Sequence, residues 1–352
     1  MGNTGIRRLA AVLVVGMALG TSAACGSQTL TPAAAGTTPP PTTQPPPPPP
    51  PVDWPLTGLQ SGQVAPHPAL AVKIENSITA RPQTGLNAAD MVWEEVVEGG
   101  ITRFVAVYHS TLPPEIGPVR SVRPMDPAIA APLRGLLAFS GGQGPFVAAV
   151  GKAGLQVVSN DAGAAGFYRI KTRSAPHNVY ADPSKFLAQA DAAHRADPAP
   201  QFEFAVPGQQ PVAVASGTPA AALQLKLSGV SHPRWTWSAP NGAWQRSEGS
   251  TPAVGADGKP LRATNVVVLR VAVDTSTGFT DPIGNPVPET QLVGSGEALI
   301  ATGGHTIAAT WTKTAVAAPL VLTSSLGGNA PLAPGNTWVE LVPIASGSVA
   351  AG

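Results

Sequence analysis

Seven consecutive prolines, Pro45–Pro51, stand near the start of the chain. Proline has no backbone N–H to donate and a fixed φ angle, so this run cannot belong to a sheet or to the interior of a helix. The residues around it, 26–52, carry no charge and are rich in threonine, alanine, glycine and proline. Such a segment cannot bury enough apolar surface to fold. The proline run favours a semi-rigid polyproline II spacer ahead of the folded region.

The residues before the spacer are typical of an export signal. Arg7 and Arg8 precede the apolar run Leu9–Leu19, which is too short to span a bilayer but suits a signal-peptide core. Cys25, the only cysteine, follows a stretch of small residues. This arrangement resembles a bacterial lipoprotein signal, in which the cysteine becomes the lipidated first residue. Ordinary signal cleavage with an incidental cysteine is the alternative. We predict a signal peptide over 1–24, a lipid-anchored tether over 25–52 and attachment to the outer face of the cytoplasmic membrane through Cys25.

The remaining residues divide by pattern. Asp90–Val97 and Thr102–Tyr108 predict a β-hairpin, and the Asp-Pro pairs at Asp126 and Asp182 predict helix starts. Later in the chain, short strands with glycine-rich turns recur at intervals of about ten residues. The sequence therefore predicts an α+β protein with an N-terminal α/β layered domain (53–196), a connector (197–220) and a smaller, mostly antiparallel β domain (221–346).

Several ordered motifs resemble the YerB-like family of bacterial lipoproteins. They are spread over residues 54–345, and the longest are Ala80–Leu86 (ARPQTGL), Val97–Phe104 (VEGGITRF), Ile116–Pro124 (IGPVRSVRP), Ala175–Tyr180 (APHNVY) and Leu332–Glu340 (LAPGNTWVE). The resemblance implies an extracytoplasmic, membrane-anchored protein in two domains. It implies no particular reaction.

Charge is unevenly distributed in the N-terminal half. Residues 99–180 contain six arginines and two lysines against three acids, whereas residues 53–98 contain six acids against two bases. Arginine is suited to binding phosphate or carboxylate, and a glycine-rich turn before a helix can direct N–H groups at an anion. We therefore predict an anion-binding cleft formed by Arg103, Arg120, Ser121, Arg123, Gly141, Gly142, Arg169, Lys171, Arg173, His177 and Asn178. Solvated arginines with structural partners, and a tight strand-to-helix turn, are the alternatives.

The sequence contains no recognised catalytic motif, so an enzymatic activity stays open. The six histidines show no metal-binding spacing, and no metal or cofactor is predicted. Trp235 and Trp237 share a strand face and could either stack on a sugar or pack in the core. The carboxylates of Asp90, Glu94 and Glu98 form a candidate acidic group, which would hold Mg²⁺ only if the protein were a transferase.

Two functions are compatible with these patterns. The net charge of +1 argues against a nucleic-acid partner. The first function is that of a membrane-anchored lipoprotein of the cell envelope, which binds an anionic or glycan-linked ligand, such as a cell-wall glycan or a lipid phosphate, or an envelope protein. The alternative is an envelope transferase acting on a polyprenyl-pyrophosphate-linked glycan, because the loop order is loosely similar to that of the LytR–CpsA–Psr phosphotransferases.

Overall fold

The protein is described here by a computed structural model that covers residues 52–61 and 66–352. The predicted signal peptide, Cys25 and nearly all of the tether lie outside these residues. In the N-terminal half, the strands are β1 (Val52–Asp53), β2 (Gln60–Ser61), β3 (Leu70–Glu75), β4 (Met91–Val96), β5 (Thr102–Tyr108), β6 (Leu136–Phe139), β7 (Gln156–Ser159), β8 (Phe167–Arg169) and β9 (Val179–Ala181).

The C-terminal half is built almost entirely of strands. They are β10 (Thr218–Pro219), β11 (Ala222–Lys226), β12 (Pro233–Ser238), β13 (Ala243–Glu248), β14 (Thr251–Pro252), β15 (Arg262–Ala263), β16 (Asn265–Asp274), β17 (Glu289–Gln291), β18 (Gly294–Thr302), β19 (His305–Lys313), β20 (Val321–Ser324), β21 (Thr337–Pro343) and β22 (Ser348–Ala351). The α-helices of the described residues are α1 (Asp126–Ala130), α2 (Gly144–Lys152), α3 (Pro183–Leu187) and α4 (Val212–Ser216). None of the helices in these residues is long and apolar enough to cross a bilayer.

Strands from both halves share one large sheet. Within the described residues it has twelve strands in the order β10-β19-β18-β16-β21-β4-β5-β3-β6-β7, with β17 beside β16 and β20 beside β19. The junction between the halves is the parallel pair β21 and β4, in which Glu340 lies opposite Glu94. A second sheet has the order β14-β13-β12-β11-β22, with β15 beside β13.

The central strands are apolar on both faces because both faces are covered. Along β5, Val105 and Val107 pack into one hydrophobic core, whereas Phe104 and Ala106 pack into the other. This alternation follows from the two-residue period of a strand, which sends successive side chains to opposite faces. Strand β11 shows the simpler pattern of an antiparallel sheet with one solvated face, since Leu223 and Leu225 are buried while Gln224 is exposed.

The predicted fold class needs correction in its proportions of strand and helix. Strands predominate in the described residues, and a layered α/β arrangement of the N-terminal domain is not confirmed. The helix predicted to start at Asp182 is short and ends at Leu187, and Asp191 caps a separate 3₁₀ turn, Ala192–His194. The C-terminal half is mostly antiparallel, but β21 runs parallel to both of its neighbours.

The proposed connector is partly regular structure. It contains α4, and β10 adds to the large sheet beside β19. Phe202 is buried, whereas residues 206–210 are exposed. The domain limits drawn from the sequence stay a prediction of where the chain can be divided.

Candidate functional site

Adjacent glutamates on β4 belong to two separate charged clusters. Glu95 contacts Lys73 on one face of the sheet, and Glu94 contacts Arg246 on the other. The strand period requires this separation. Each cluster can therefore be described by itself.

The arginines nearest the sheet are held by Glu98. Arg103 on β5 is 3% exposed, and its Nη1 donates to the carbonyl oxygen of Ser121 at 2.8 Å. Arg103 Nη2 lies 4.0 Å from Glu98 Oε2, and Arg123 Nε lies 2.5 Å from Glu98 Oε1. Burial, together with the charges of Arg123 and Arg120, lowers the pKa of Arg103 to about 9. Arg103, Arg120 and Arg123 therefore lie close together, and Glu98 is the carboxylate partner of Arg103 and Arg123.

Glu75 holds the outer part of the predicted site. This carboxylate is 2% exposed, and both of its oxygens lie 2.9 Å from His177 Nδ1. Arg120 Nε lies 3.5 Å from Glu75 Oε2, and Ser77 Oγ donates to Oε1 at 2.8 Å. The side chains of Arg120 and His177 are 21% and 27% exposed. One buried carboxylate thus fixes a guanidinium and an imidazole that both reach solvent.

The segment 169–178 supplies further polar groups beside Glu75. Arg173 donates to the carbonyl oxygens of Thr79 and Pro82 at 2.8 Å each. Thr79 Oγ1 lies 3.3 Å from His177 Nε2, which places Arg173 next to the imidazole. Arg169 donates to Asn178 Oδ1 at 2.6 Å, and the exposed Lys171 makes no ion pair among the described residues. We call Arg120, Arg173 and His177 the rim.

The glycine turn between β6 and α2 has an acid beside it. Ser140 Oγ lies 3.4 Å from Ser121 Oγ, so the arginine-bearing loop reaches the turn. Gly141 is buried, and a Cβ at this position would lie 1.7 Å from Asp161 Oδ2. A carboxylate beside Gly141 would repel a bound anion, whereas Gly142 is exposed. Asp161 therefore opposes anion binding at Gly141, and the place of this turn in an anion cleft stays a prediction.

The candidate acids do not come together. Asp90 accepts hydrogen bonds from the backbone N–H groups of His109 and Ser110 at 2.6 and 2.7 Å. Burial raises the pKa of Asp90 despite these bonds. Glu94 lies on the opposite face of the sheet from Glu98 and its arginines. Among the described residues, no group of three or more acids, histidines or cysteines is placed to hold a metal ion.

The second charged cluster was not predicted from the sequence. Arg246 on β13 is fully buried, with Nη2 2.6 Å from Glu94 Oε2 and Nη1 2.9 Å from Glu340 Oε1. Its guanidinium also lies 5.2 Å from the ring centre of Trp338. Burial opposes its charge, but the carboxylates of Glu248, Glu94 and Glu340 raise the pKa of Arg246. The residue is therefore a fixed cation that joins strands from both halves.

Trp235 belongs to this cluster and not to a sugar platform. It is fully buried, and its Nε1 donates to Glu340 Oε1 at 2.8 Å. Trp237, on the same strand, is half-buried and packs against Trp244 with ring centres 5.5 Å apart. Core packing is therefore the correct interpretation of Trp235.

Comparison with known proteins gives consistent matches. The model described as protein of unknown function (DUF3048), N-terminal domain, matches residues 56–196, and the model for the C-terminal domain matches residues 223–339. "Putative lipoprotein YerB" of Bacillus subtilis (strain 168) is 50% identical over 70 residues, which cover 20% of this chain and only 21% of that relative. The crystal structure of the YerB protein from Bacillus subtilis has a TM-score of 0.72 at 23% identity, covering 85% of this chain and 99% of that one. At this identity, the structural match shows a shared fold.

Proposed function

The chain belongs to the DUF3048 family, whose two domain models together span most of its folded region, and from this membership we propose that it is an extracytoplasmic protein anchored to the outer face of the cytoplasmic membrane by a lipid on Cys25. Membership confirms the resemblance to YerB-like proteins drawn from the motifs. A relative is named a lipoprotein, and the only cysteine of this chain directly follows a signal-like segment. A lipid on that cysteine supplies the anchor.

We propose further that the rim binds a phosphate-bearing envelope ligand. The observation that carries this proposal is the shared use of Glu75 by Arg120 and His177, because it fixes two potential donors at the surface. A charge-assisted contact is strongest when the donor is held in place before the ligand arrives. Arg103 and Arg123 contribute less, because they share Glu98 and their side chains are only 4% and 11% exposed.

The ligand class follows from the donors. Arg120 and Arg173 present planar guanidinium groups, which bind two oxygens of one phosphate at once. Arg169 and Lys171 add charge nearby on an exposed segment. A phosphate linked to a cell-wall glycan and a phosphate of a membrane lipid offer the same chemistry, and an acidic envelope protein would compete for it.

The test measures anion-dependent thermal stability. Inorganic phosphate and pyrophosphate are titrated against the full chain, each at low and at high NaCl. At about 100 times the Kd, a ligand adds about 2.7 kcal/mol to stability, and salt should weaken the effect. Phosphate-headgroup vesicles and a phosphorylated glycan then distinguish the two sources.

The decisive variant is Arg120→Gln with Arg173→Gln, and it should lose the anion-dependent shift. Arg234→Gln is the matched control, because Arg234 is exposed on β12 in the second sheet. Arg123 is left unchanged, because its removal would take from Glu98 the shorter of its two cation contacts. An unchanged shift in the double variant, or no shift in the wild type, would overturn the proposal.

A further inference from the structure

Three ionisable side chains are in contact between the large sheet and α1, and none of them is exposed to solvent. Lys73 on β3 and Asp126 on α1 are both fully buried, with Nζ 2.6 Å from Oδ1. Glu95 on β4 is equally buried and accepts a hydrogen bond from the same Nζ. We call Lys73, Glu95 and Asp126 the triad, and the anion-binding proposal does not use it.

The triad is poorly balanced as a set of permanent charges. One ammonium faces two carboxylates, so full ionisation would leave the triad with a net negative charge, which the buried Arg103 offsets only in part. Burial and the charge of Asp126 raise the pKa of Glu95 to about 8. Oε2 of Glu95 is also buried without a hydrogen-bond partner among the described residues. Glu95 is therefore a group that can take up and give back a proton beside Lys73.

We propose that Lys73 Nζ and the Asp126 side chain condense into an intramolecular amide, an isopeptide bond, with Glu95 as the catalytic proton carrier. The reaction joins β3 covalently to the start of α1. It needs no metal, oxidant or cofactor, because the sum of an ammonium and a carboxylate is an amide and one water molecule.

The contacts account for each step. Glu95 accepts a proton from the Lys73 ammonium, and the neutral nitrogen attacks Cγ of Asp126. Negative charge then grows on Oδ2, which already accepts a hydrogen bond from the backbone N–H of Arg123 at 2.7 Å. Glu95 delivers the first proton to Oδ1 and then accepts a second proton from the nitrogen. It delivers this second proton to Oδ1 as well. The C–Oδ1 bond breaks, water departs and the new N–C bond remains.

The surroundings favour this product. The reacting groups are held in contact by three separate elements, so the attack is intramolecular and oriented. The amide carries no charge, and its formation removes an ion pair from the core. Val105 and Trp93, on the neighbouring strands and on the same face, help to exclude water.

Mass spectrometry of the purified full chain tests the bond directly. We expect the measured intact mass to be one water molecule lower than the mass calculated from the amino-acid sequence between its N- and C-terminal residues. We also expect a branched proteolytic peptide that joins Lys73 to Asp126. Glu95→Gln should restore the full mass. Lys313→Met is the matched control, because Lys313 is also buried but makes no ion pair among the described residues, so the mass deficit should persist.

The wild-type protein decides the question even if a variant fails to fold. A wild-type mass without the deficit, with Lys73 and Asp126 in separate peptides, would show an ion triad only and overturn the proposal. A deficit that survives Glu95→Gln in a folded protein would overturn the role of Glu95.

Discussion

Arg246 and Glu94 lie 152 positions apart in the chain, yet Nη2 of one is 2.6 Å from Oε2 of the other and both are fully buried. The contact links the second sheet to β4 at the junction of the two halves. Burial opposes ionisation of Glu94, but the charge of Arg246 lowers the pKa of its carboxyl. Burial and Glu94 raise the pKa of its neighbour Glu340. The guanidinium therefore stabilises one ionised carboxylate directly.

Arg246→Leu should destabilise the protein strongly. The substitution leaves the Glu94 carboxylate buried without its cation, and breaking a buried pair in this way costs about 3–5 kcal/mol. Urea unfolding measures the loss. The exposed Arg234→Leu should change stability by no more than about 0.5 kcal/mol, and a similar small change for Arg246→Leu would contradict the structural role.

Stability should fall as pH drops from 7.5 to 5.5, in part because of His109. Burial and the neighbouring His67 lower the pKa of His109 from 6.5. The unfolded chain then binds a proton more readily than the folded chain. The stability that the neutral imidazole contributes is present above pH 6.5 and is lost as the pH falls.

Thermal unfolding at several pH values checks this effect. His109→Gln removes the titrating ring, so its midpoint should depend less on pH than that of the wild type. The exposed His232→Gln, on the second sheet's loop, should keep the wild-type dependence. Equal slopes for wild type and His109→Gln would show that other groups are responsible.

Two glycine substitutions should have opposite effects. A Cβ on Gly135 would lie 2.2 Å from the backbone oxygen of Ala69, which cannot move without disturbing β3. Gly135→Ala should therefore cost about 1–3 kcal/mol. Gly151 lies in α2 with open space around it, so Gly151→Ala should gain about 0.5–1 kcal/mol. Denaturant midpoints that move in the same direction would be inconsistent with this geometry.

Limited proteolysis should cut before Trp54 and then within the exposed segment 206–210. The two fragments should stay together on native size-exclusion chromatography, because the pairing of β4 with β21 and the Arg246 contacts hold them. They should separate in urea. Fragments that separate without denaturant would show that the halves are independent.

Cys25→Ser should release the protein from the membrane into the medium, because no other cysteine can carry the lipid. Fractionation and immunoblotting measure the change. Ser27→Ala, two positions away, is the control and should stay with the membrane. A Cys25→Ser protein that still fractionates with membranes would disprove lipid anchoring.

Local patterns predicted local structure well. The hairpin of Asp90–Val97 and Thr102–Tyr108 follows from short-range chemistry, and the structure confirms both of its strands. The opposite orientations of Glu94 and Glu95 follow from the same strand period. The motifs also identified the family.

Long-range pairing was not predictable by these means. His177 and Glu75 are 102 positions apart, and nothing in the sequence around either residue indicates that the two side chains are in contact. The excess of basic residues in 99–180 indicated that an external anion compensates their charge. Part of that positive charge is instead compensated by Glu75 and Glu98 from the acidic segment. Arg246 lies on β13, and nothing in the sequence of that strand indicates its buried partners Glu94 and Glu340.

The place of β21 in the sheet has a consequence for the order of folding. Residues 337–343 leave the ribosome long after β4 and β16, yet they occupy the gap between those two strands. Until they arrive, both earlier strands present bare edges that can pair with the wrong neighbour. Shortening the chain into β21 would therefore open the sheet through its middle, and assembly of the two halves has to wait until residues 337–343 are made.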